Sequence, residues 1–331
     1  LPFRRKALGL ELNDTLLKLA EVHTSGRKVR LDQVVAHPLP SVWSKDGEFI
    51  EQEELVQSVR EALLGRKFST RKVHLALSSR HVLIRRERVP LMGRRRLRKW
   101  VKEQLIPNLP LSYEEAVFDS IPLEKHELEN EQDVMFVIAS KKYVETFLKI
   151  IEWCGLEPVS LDLTSLALYR WLRFSTERLP SRLLTLHLSM TGVELACFKD
   201  GDMQDAHFSP LSMPPFRIGP DHPQTDPLKP ILLNEQEVSA YGQQLLSEVN
   251  QKLAEWESAY SWSPDQWVLT GDGIDFTLLN RWLSKETSAK VESGPTPQDI
   301  LSPFLQERVS RWIGLSMSVP VGLLLNGREK Q

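Results

Sequence analysis

Cysteine is scarce in this chain, with Cys154 and Cys197 the only two in 331 residues. Both sit among apolar residues, which predicts two buried thiols in a reducing compartment, and a metal site would need more ligands than these supply. No apolar run approaches the ~20 residues that cross a bilayer as a helix, and no signal peptide opens the chain, so the expected location is cytoplasmic. Because Leu1 is not Met, a preceding segment is left open. An excess of one charge is lacking too: 42 basic residues face 44 acidic ones, and a net charge of -2 gives no overall attraction to nucleic acid or membrane. The histidines show no paired metal spacing and no Ser/His/Asp or Cys/His arrangement can be named, so enzyme chemistry outside nucleotides finds no support. What remains, at 41% hydrophobic and 26% charged, is a soluble globular chain long enough for two cores.

The organising stretch is Leu8 to Val22. It reads as two short strands, Ala7–Leu12 and Leu16–Val22, joined by the polar turn Asn13-Asp14-Thr15, because apolar residues fill both arms and turn formers fill the middle. Arg27–Val35 supplies a third strand, Glu51–Leu64 sets Leu55, Val56, Val59, Leu63 and Leu64 at helical spacing, and Lys72–Leu77 returns as a strand, which implies an α/β layer with a mixed sheet. A second unit begins near Ser79. It has strands at His81–Val89, Ala116–Ile121 and Asp133–Ala139, an acidic turn-rich Glu124–Glu131, and helices at Arg94–Leu105 and Tyr143–Trp153. Gly155 ends the last helix, since positive φ is cheap there, and Pro158 keeps it from resuming. Leu183–Leu188 and Val193–Phe198 repeat the strand-turn-strand pattern. Pro210–Pro230 holds too many prolines for regular structure. Beyond it come the helix Glu235–Tyr260, the strand Gln266–Gly271 with its turn Gly271-Asp272-Gly273, and helices at Phe276–Leu283 and Asp299–Met317.

Gly9-Leu10-Glu11-Leu12 followed by Lys18 and Glu21, the passage Gly155–Arg170, and Leu269–Gly273 together resemble the type IV pilus assembly protein PilM family, relatives of the cell-division protein FtsA. The resemblance implies an actin-like ATPase fold of two RNase H-like domains, 1–78 with 161–182 and 183–331. It also implies an inserted α/β lobe at 79–160 and a shortened, Pro-rich second-domain lobe near 202–234. Either Val321-Gly322-Leu323 or Ile313-Gly314-Leu315 would match the closing Gly-Leu helix of that family. In such folds the hairpin turns cradle phosphates and offer an Asp to hydrated Mg²⁺, while a glycine turn lies against adenosine. Carried over residue by residue, Glu11, Asn13, Asp14, Thr15 and Lys18 would form the first phosphate turn, Ser189 lies in the second, and Gly271 and Gly273 form the adenosine turn. Glu11 is a longer ligand than Asp, and Asn13 stands for the turn glycine because Asn tolerates the left-handed conformation. At the second hairpin His187 replaces the acid and Ser189 the glycine. An imidazole cannot do the work of a carboxylate on hydrated Mg²⁺, although a cationic one could attract phosphate.

The other candidate site is basic. Ten Lys or Arg residues against one acid lie between Arg80 and Lys102, among them Arg94, Arg95, Arg96, Arg98 and Lys99 on a helix. A solvated face is the default reading, and an anionic membrane surface or an acidic partner is the functional one. Nucleic acid is not expected, since no recognition motif accompanies the run. The resemblance implies a non-catalytic cytoplasmic scaffold of a type IV pilus or related secretion or competence machine, peripheral at the inner face of the membrane. Its partner would be the short tail of a PilN-like membrane protein, held in a groove lined by Val73, Leu75, Leu77, Leu83, Val134, Phe136 and Ile138. Pilus motor or secretion ATPases and self-association stay open as further partners. No cofactor or metal is expected, with ATP the open alternative. The competing classes are a nucleotide-switched actin-like ATPase that polymerises, and a small-molecule kinase, which would need an Asp base and intact phosphate turns.

Overall fold

A computed structural model of the chain describes residues 4–25, 28–40, 43–45, 48–213, 226–307 and 313–325. It divides into two compact units, one made of 1–80 with 149–331 and one of 81–148. The first opens with the strands β1 (Arg4–Leu12), β2 (Leu16–Ser25) and β3 (Lys28–Pro38), then a short hairpin of β4 (Ser44–Lys45) and β5 (Glu48–Phe49). Helix α1 (Gln52–Leu63) buries Leu55, Val56, Val59 and Ala62, a stripe one helical turn apart, while Leu64 beyond its end is exposed. β6 (Lys72–Leu77) then returns parallel to β1.

The second unit stands on its own core. Its strands β7 (Val82–Pro90), β8 (Ala116–His126) and β9 (Glu131–Ser140) form an antiparallel sheet with β9 in the middle. Helix α2 (Arg94–Trp100) runs on through a π-helical turn at Val101–Leu105. Leu97, Val101 and Leu105 from that segment pack with Val134, Phe136 and Ile138, which share one face of β9 because they alternate along it. Helix α3 (Lys141–Trp153) leads out, and Gly155 follows it at φ 85°. The unit is smaller than 79–160 because β10 (Glu157–Leu163) pairs in parallel with β6 and so belongs to the first sheet.

After α4 (Thr164–Ser175) the first sheet is repeated. β11 (Arg182–Ser189), β12 (Gly192–Lys199) and β13 (Asp202–Ser209) form a meander, followed by α5 (Glu235–Tyr260), β14 (Gln266–Gly271), α6 (Phe276–Glu286) and β15 (Lys290–Ser293). Strand order is β3-β2-β1-β6-β10 in one sheet and β13-β12-β11-β14-β15 in the other, so Ala7–Leu12 and Leu183–Leu188 occupy equivalent strands. β11 and β12 are buried almost end to end, as strands covered on both faces must be. Asn234 caps α5 by accepting from the Glu237 N–H at 2.9 Å, and the helix lays Val238, Tyr241, Leu245, Val249 and Trp256 into the second core.

Two expectations need correction. Asp202–Ser209, inside the insertion expected near 202–234, is a strand of the second sheet, and the expected loop Pro210–Pro230 follows it; the prolines at 214, 215, 220 and 223 lie outside the described residues. Asp299–Met317 is not one helix: the described part has short turns and the four-residue α7 (Pro303–Gln306), and 308–312 is outside the described residues. The closing helix is α8 (Ser318–Gly322), which chooses Gly322 over Gly314. A Cβ on Gly9 would lie 1.9 Å from the Pro320 carbonyl oxygen and one on Gly322 would lie 1.9 Å from the Ala167 carbonyl oxygen. The helix therefore packs onto β1 and α4.

Candidate functional site

The two hairpins bring their central side chains to one place. Glu11 on β1 and Lys18 on β2 are directly opposite in the antiparallel register, and His187 on β11 is level with Thr270 on β14. Lys18 Nζ lies 3.1 Å from Glu11 Oε2 and 2.9 Å from Asp272 Oδ2. His187 Nε2 is 2.9 Å from Glu11 Oε1, and its Nδ1 is 2.9 Å from the Thr270 hydroxyl. Two carboxylates thus flank one ammonium, and the imidazole closes the network from the second half. All five side chains are buried, Lys18 completely and Glu11 at 4% exposure.

Burial of charge on this scale is tolerated only when each charge has a partner. Burial pushes the Glu11 carboxyl up, yet the charge of Lys18 and the charge and hydrogen bond of His187 override it and hold the group at about 2. Burial likewise works against the Lys18 ammonium, and Asp272 and Glu11 win, raising it above the ordinary lysine value. Glu11 is therefore ionised and can only accept, which puts the proton on His187 Nε2. Neither nitrogen of His187 is left for an incoming phosphate, contrary to the expectation for a cationic imidazole here.

Around the network the hairpin turns are tied across the halves. Asn13 does not take the left-handed conformation expected of it; its Oδ1 instead accepts from the N–H groups of Thr15 at 3.0 Å and Leu16 at 2.8 Å, closing the turn through the side chain. Thr15 is buried and its hydroxyl donates to the same oxygen. Asp14 accepts from Arg80 at 2.5 Å and from the Thr191 hydroxyl of the second turn at 2.8 Å. Ser189 donates to the Gly192 carbonyl at 3.1 Å inside its own turn. Glu194 on β12 is buried and accepts from Ser165 at 2.7 Å, Ser78 at 2.8 Å and the Ser79 N–H. Burial raises its carboxyl above the usual range despite those donors.

The glycine turn is retained, with Gly271 at φ 111° and Gly273 at φ 88°. A Cβ on Gly271 would meet the Leu188 carbonyl oxygen at 2.0 Å, and one on Gly273 would meet Met213 Sδ at 2.6 Å. Both glycines thus have packing reasons of their own, and methionine covers the turn. Asp272, Thr270, Arg80, Thr191 and Glu194 escaped the sequence reading. The available signal was an acid between two glycines at the end of a buried strand, which a turn alone also explains.

The residues expected to line a partner groove are placed otherwise. Val73, Leu75 and Leu77 are buried in β6, which has strands on both sides, and Val134, Phe136 and Ile138 are buried in the core of the second unit. Only Leu83 is partly exposed. Those six side chains hold sheets to helices and offer no surface. Arg94, Arg95, Arg96, Arg98 and Lys99 are exposed as expected. Elsewhere in the basic run Arg80 binds Asp14, Arg85 lies 3.7 Å from Glu87, and Arg86 and Arg88 bind Asp133 at 2.6 and 3.1 Å. Glu124, His126 and Asp133 converge in a group of metal-ligand size, but the two guanidinium groups on Asp133 already neutralise it.

A family model described as type IV pilus assembly protein PilM matches residues 9–196, more than half of the chain. The chain belongs to the PilM family. A solved PilM–PilN type IV pilus biogenesis complex is similar over 98% of this chain and 98% of that one, with 23% identity and a TM-score of 0.74. The cytoplasmic domain of EpsL, an inner-membrane component of the type II secretion system of Vibrio cholerae, covers 98% and 96% at 10% identity and TM-score 0.50. Ethanolamine utilization protein EutJ from Carboxydothermus hydrogenoformans covers 99% and 91% at 12% identity and TM-score 0.52. No curated protein sequence matches. The chain has the actin-like ATPase fold.

Proposed function

We propose that this PilM-family chain is a non-catalytic scaffold of a type IV pilus or related secretion machine, binding the cytoplasmic tail of a PilN-like inner-membrane protein. The observation that carries the non-catalytic reading is the closed network of Glu11, Lys18, His187 and Asp272. Hydrated Mg²⁺ needs accessible carboxylate oxygens and a phosphate needs free donors. Here Lys18 is held by both acids and His187 by Glu11 and Thr270, and the carboxylates are buried, with Asp272 Oδ1 lacking a hydrogen-bond partner. The partner reading rests on family membership and on the solved complex of a PilM with a PilN. An extended tail would add to a free edge of the sheet in the second unit, at β7 or β8, gaining main-chain hydrogen bonds there. Placement at the membrane would follow from that partner, since no described helix is long and apolar enough to cross a bilayer.

Calorimetric titration with a synthetic PilN-like tail peptide tests this. Binding of equal affinity with and without Mg-ATP is the expected outcome, lost when residues 81–148 are replaced by a short linker. Tail binding that appears only with Mg-ATP would favour the nucleotide-switched reading.

A further inference from the structure

One face of the second unit carries charge that the chain leaves unneutralised. Arg94, Arg95, Arg96, Arg98, Lys99 and Lys102 are all exposed. Among the described residues only Lys99 of these is in an ion pair, with Glu103 at 3.8 Å. Helical geometry concentrates the charge. Leu97 and Val101 face the core of the unit, which puts Arg95 and Lys99 on the opposite side with Arg96 and Arg98 flanking them. The turn before the helix adds an apolar tip. Leu91, three residues ahead of Arg94, is 38% exposed, and its N–H donates to the Asn130 carbonyl at 2.7 Å. Gln132 Nε2 donates to the Met92 carbonyl at 3.1 Å, so the tip is held at two points. The contact with Asn130 also brings up the turn Glu127–Glu129, where Leu128 is fully exposed. Glu129 and Glu131 beside that leucine lie 3.5 and 3.9 Å from Arg88, which offsets their charge.

Unpaired cations next to exposed leucine suit one partner chemistry, a lipid surface with anionic headgroups, which attracts the charges and takes up the apolar tip. We propose that the basic face of 94–102, together with Leu91, rests on anionic phospholipid, so that the chain touches the membrane directly. This contact goes beyond the binding of a protein tail and does not depend on it. The net charge of -2 does not oppose it, because charges farther away than a Debye length, about 8 Å at physiological ionic strength, are screened. Two other anionic partners fit less well. Nucleic acid would meet the same cations, but Trp100, the aromatic side chain of the helix, is stacked 6.1 Å from Phe136 and is not open to bases. An acidic protein would pair with the cations and leave Leu91 and Leu128 in water.

Co-sedimentation of the full chain with lipid vesicles, with no tail peptide present, tests the proposal. Binding should rise with the fraction of phosphatidylglycerol, vanish on pure phosphatidylcholine and weaken as salt is added. Each cation near an anionic surface is worth roughly fivefold in affinity, so Arg94→Gln, Arg95→Gln and Arg98→Gln combined should weaken binding roughly hundredfold. Leu91→Ser should weaken it roughly threefold. Lys285→Gln, at an exposed lysine of α6, should leave it unchanged. Melting temperatures equal to that of the wild type show that the variants keep their fold. Absence of binding to vesicles of pure phosphatidylglycerol, or undiminished binding by the triple variant, overturns the proposal. So does a chain that ignores the vesicles yet binds duplex DNA or polyglutamate through Arg94, Arg95 and Arg98, which would give the face to that class of partner.

Discussion

The two sheets share one strand order, yet their hairpins carry different chemistry. In the first, Glu11 and Lys18 face each other and Asn13 closes the turn; in the second, His187 stands at the equivalent strand and Ser189 in the turn. A fold of this kind places its two hairpins together whatever residues they carry, because sheet order and packing set the backbone. Only the side chains decide whether a ligand or the protein itself bridges the halves. Here acid from one half meets imidazole from the other at 2.9 Å, and the ammonium of Lys18 reaches Asp272 of the second half at the same distance. The bridge is internal.

The strongest way to break the comparison is Lys18→Met. It leaves Glu11 and Asp272 buried beside each other without their cation, and removing one partner of such a network costs about 3–5 kcal/mol. Urea unfolding should show a loss of that size, and a loss below about 1 kcal/mol would mean the network contributes little. Acid should act on the same group. The Glu11 carboxyl lies at about 2 in the folded chain against 4.5 for the free side chain, so its stabilisation is complete above pH 4.5 and is lost as pH falls toward 2. The effect is on the order of 3 kcal/mol. Glu11→Gln should remove that part of the acid dependence in a melting-temperature series. Glu194, raised by burial, runs the other way and destabilises as pH rises through its folded value.

The symmetry of the halves was legible in the sequence, because Leu8–Val22 and Leu183–Phe198 each show two apolar arms about a polar turn. β13 was not. Its sequence Asp-Met-Gln-Asp-Ala-His-Phe-Ser lacks clean alternation, since polar side chains there face inward and find partners far along the chain, as Asp205 does at Trp256 Nε1, 2.8 Å away. The residues of the candidate site were named in part, as Glu11, Lys18 and His187, but as positions of a degraded phosphate site rather than as partners of one another. Their true partners could not be read locally: Lys18 and Asp272 are 254 positions apart and Glu11 and His187 are 176 apart. Val134, Phe136 and Ile138 show the reverse error, because an alternating apolar face fits a groove and a helix-covered core equally well.

Smaller perturbations sharpen the picture. Gly9→Ala places a methyl against the Pro320 carbonyl and should cost about 1–3 kcal/mol as α8 is pushed off β1, read by thermal unfolding. Thr191→Val removes one hydrogen bond to Asp14 between the hairpin turns and should cost about 0.5–1.5 kcal/mol, read by urea unfolding, with the fold intact.

The central claim is that the internal network has taken the place of nucleotide. Phosphate release from Mg-ATP by purified wild type and by Glu11→Ala tests it most directly. The account predicts no metal-dependent release from either protein, and metal-dependent turnover by the wild type that disappears in Glu11→Ala would contradict it.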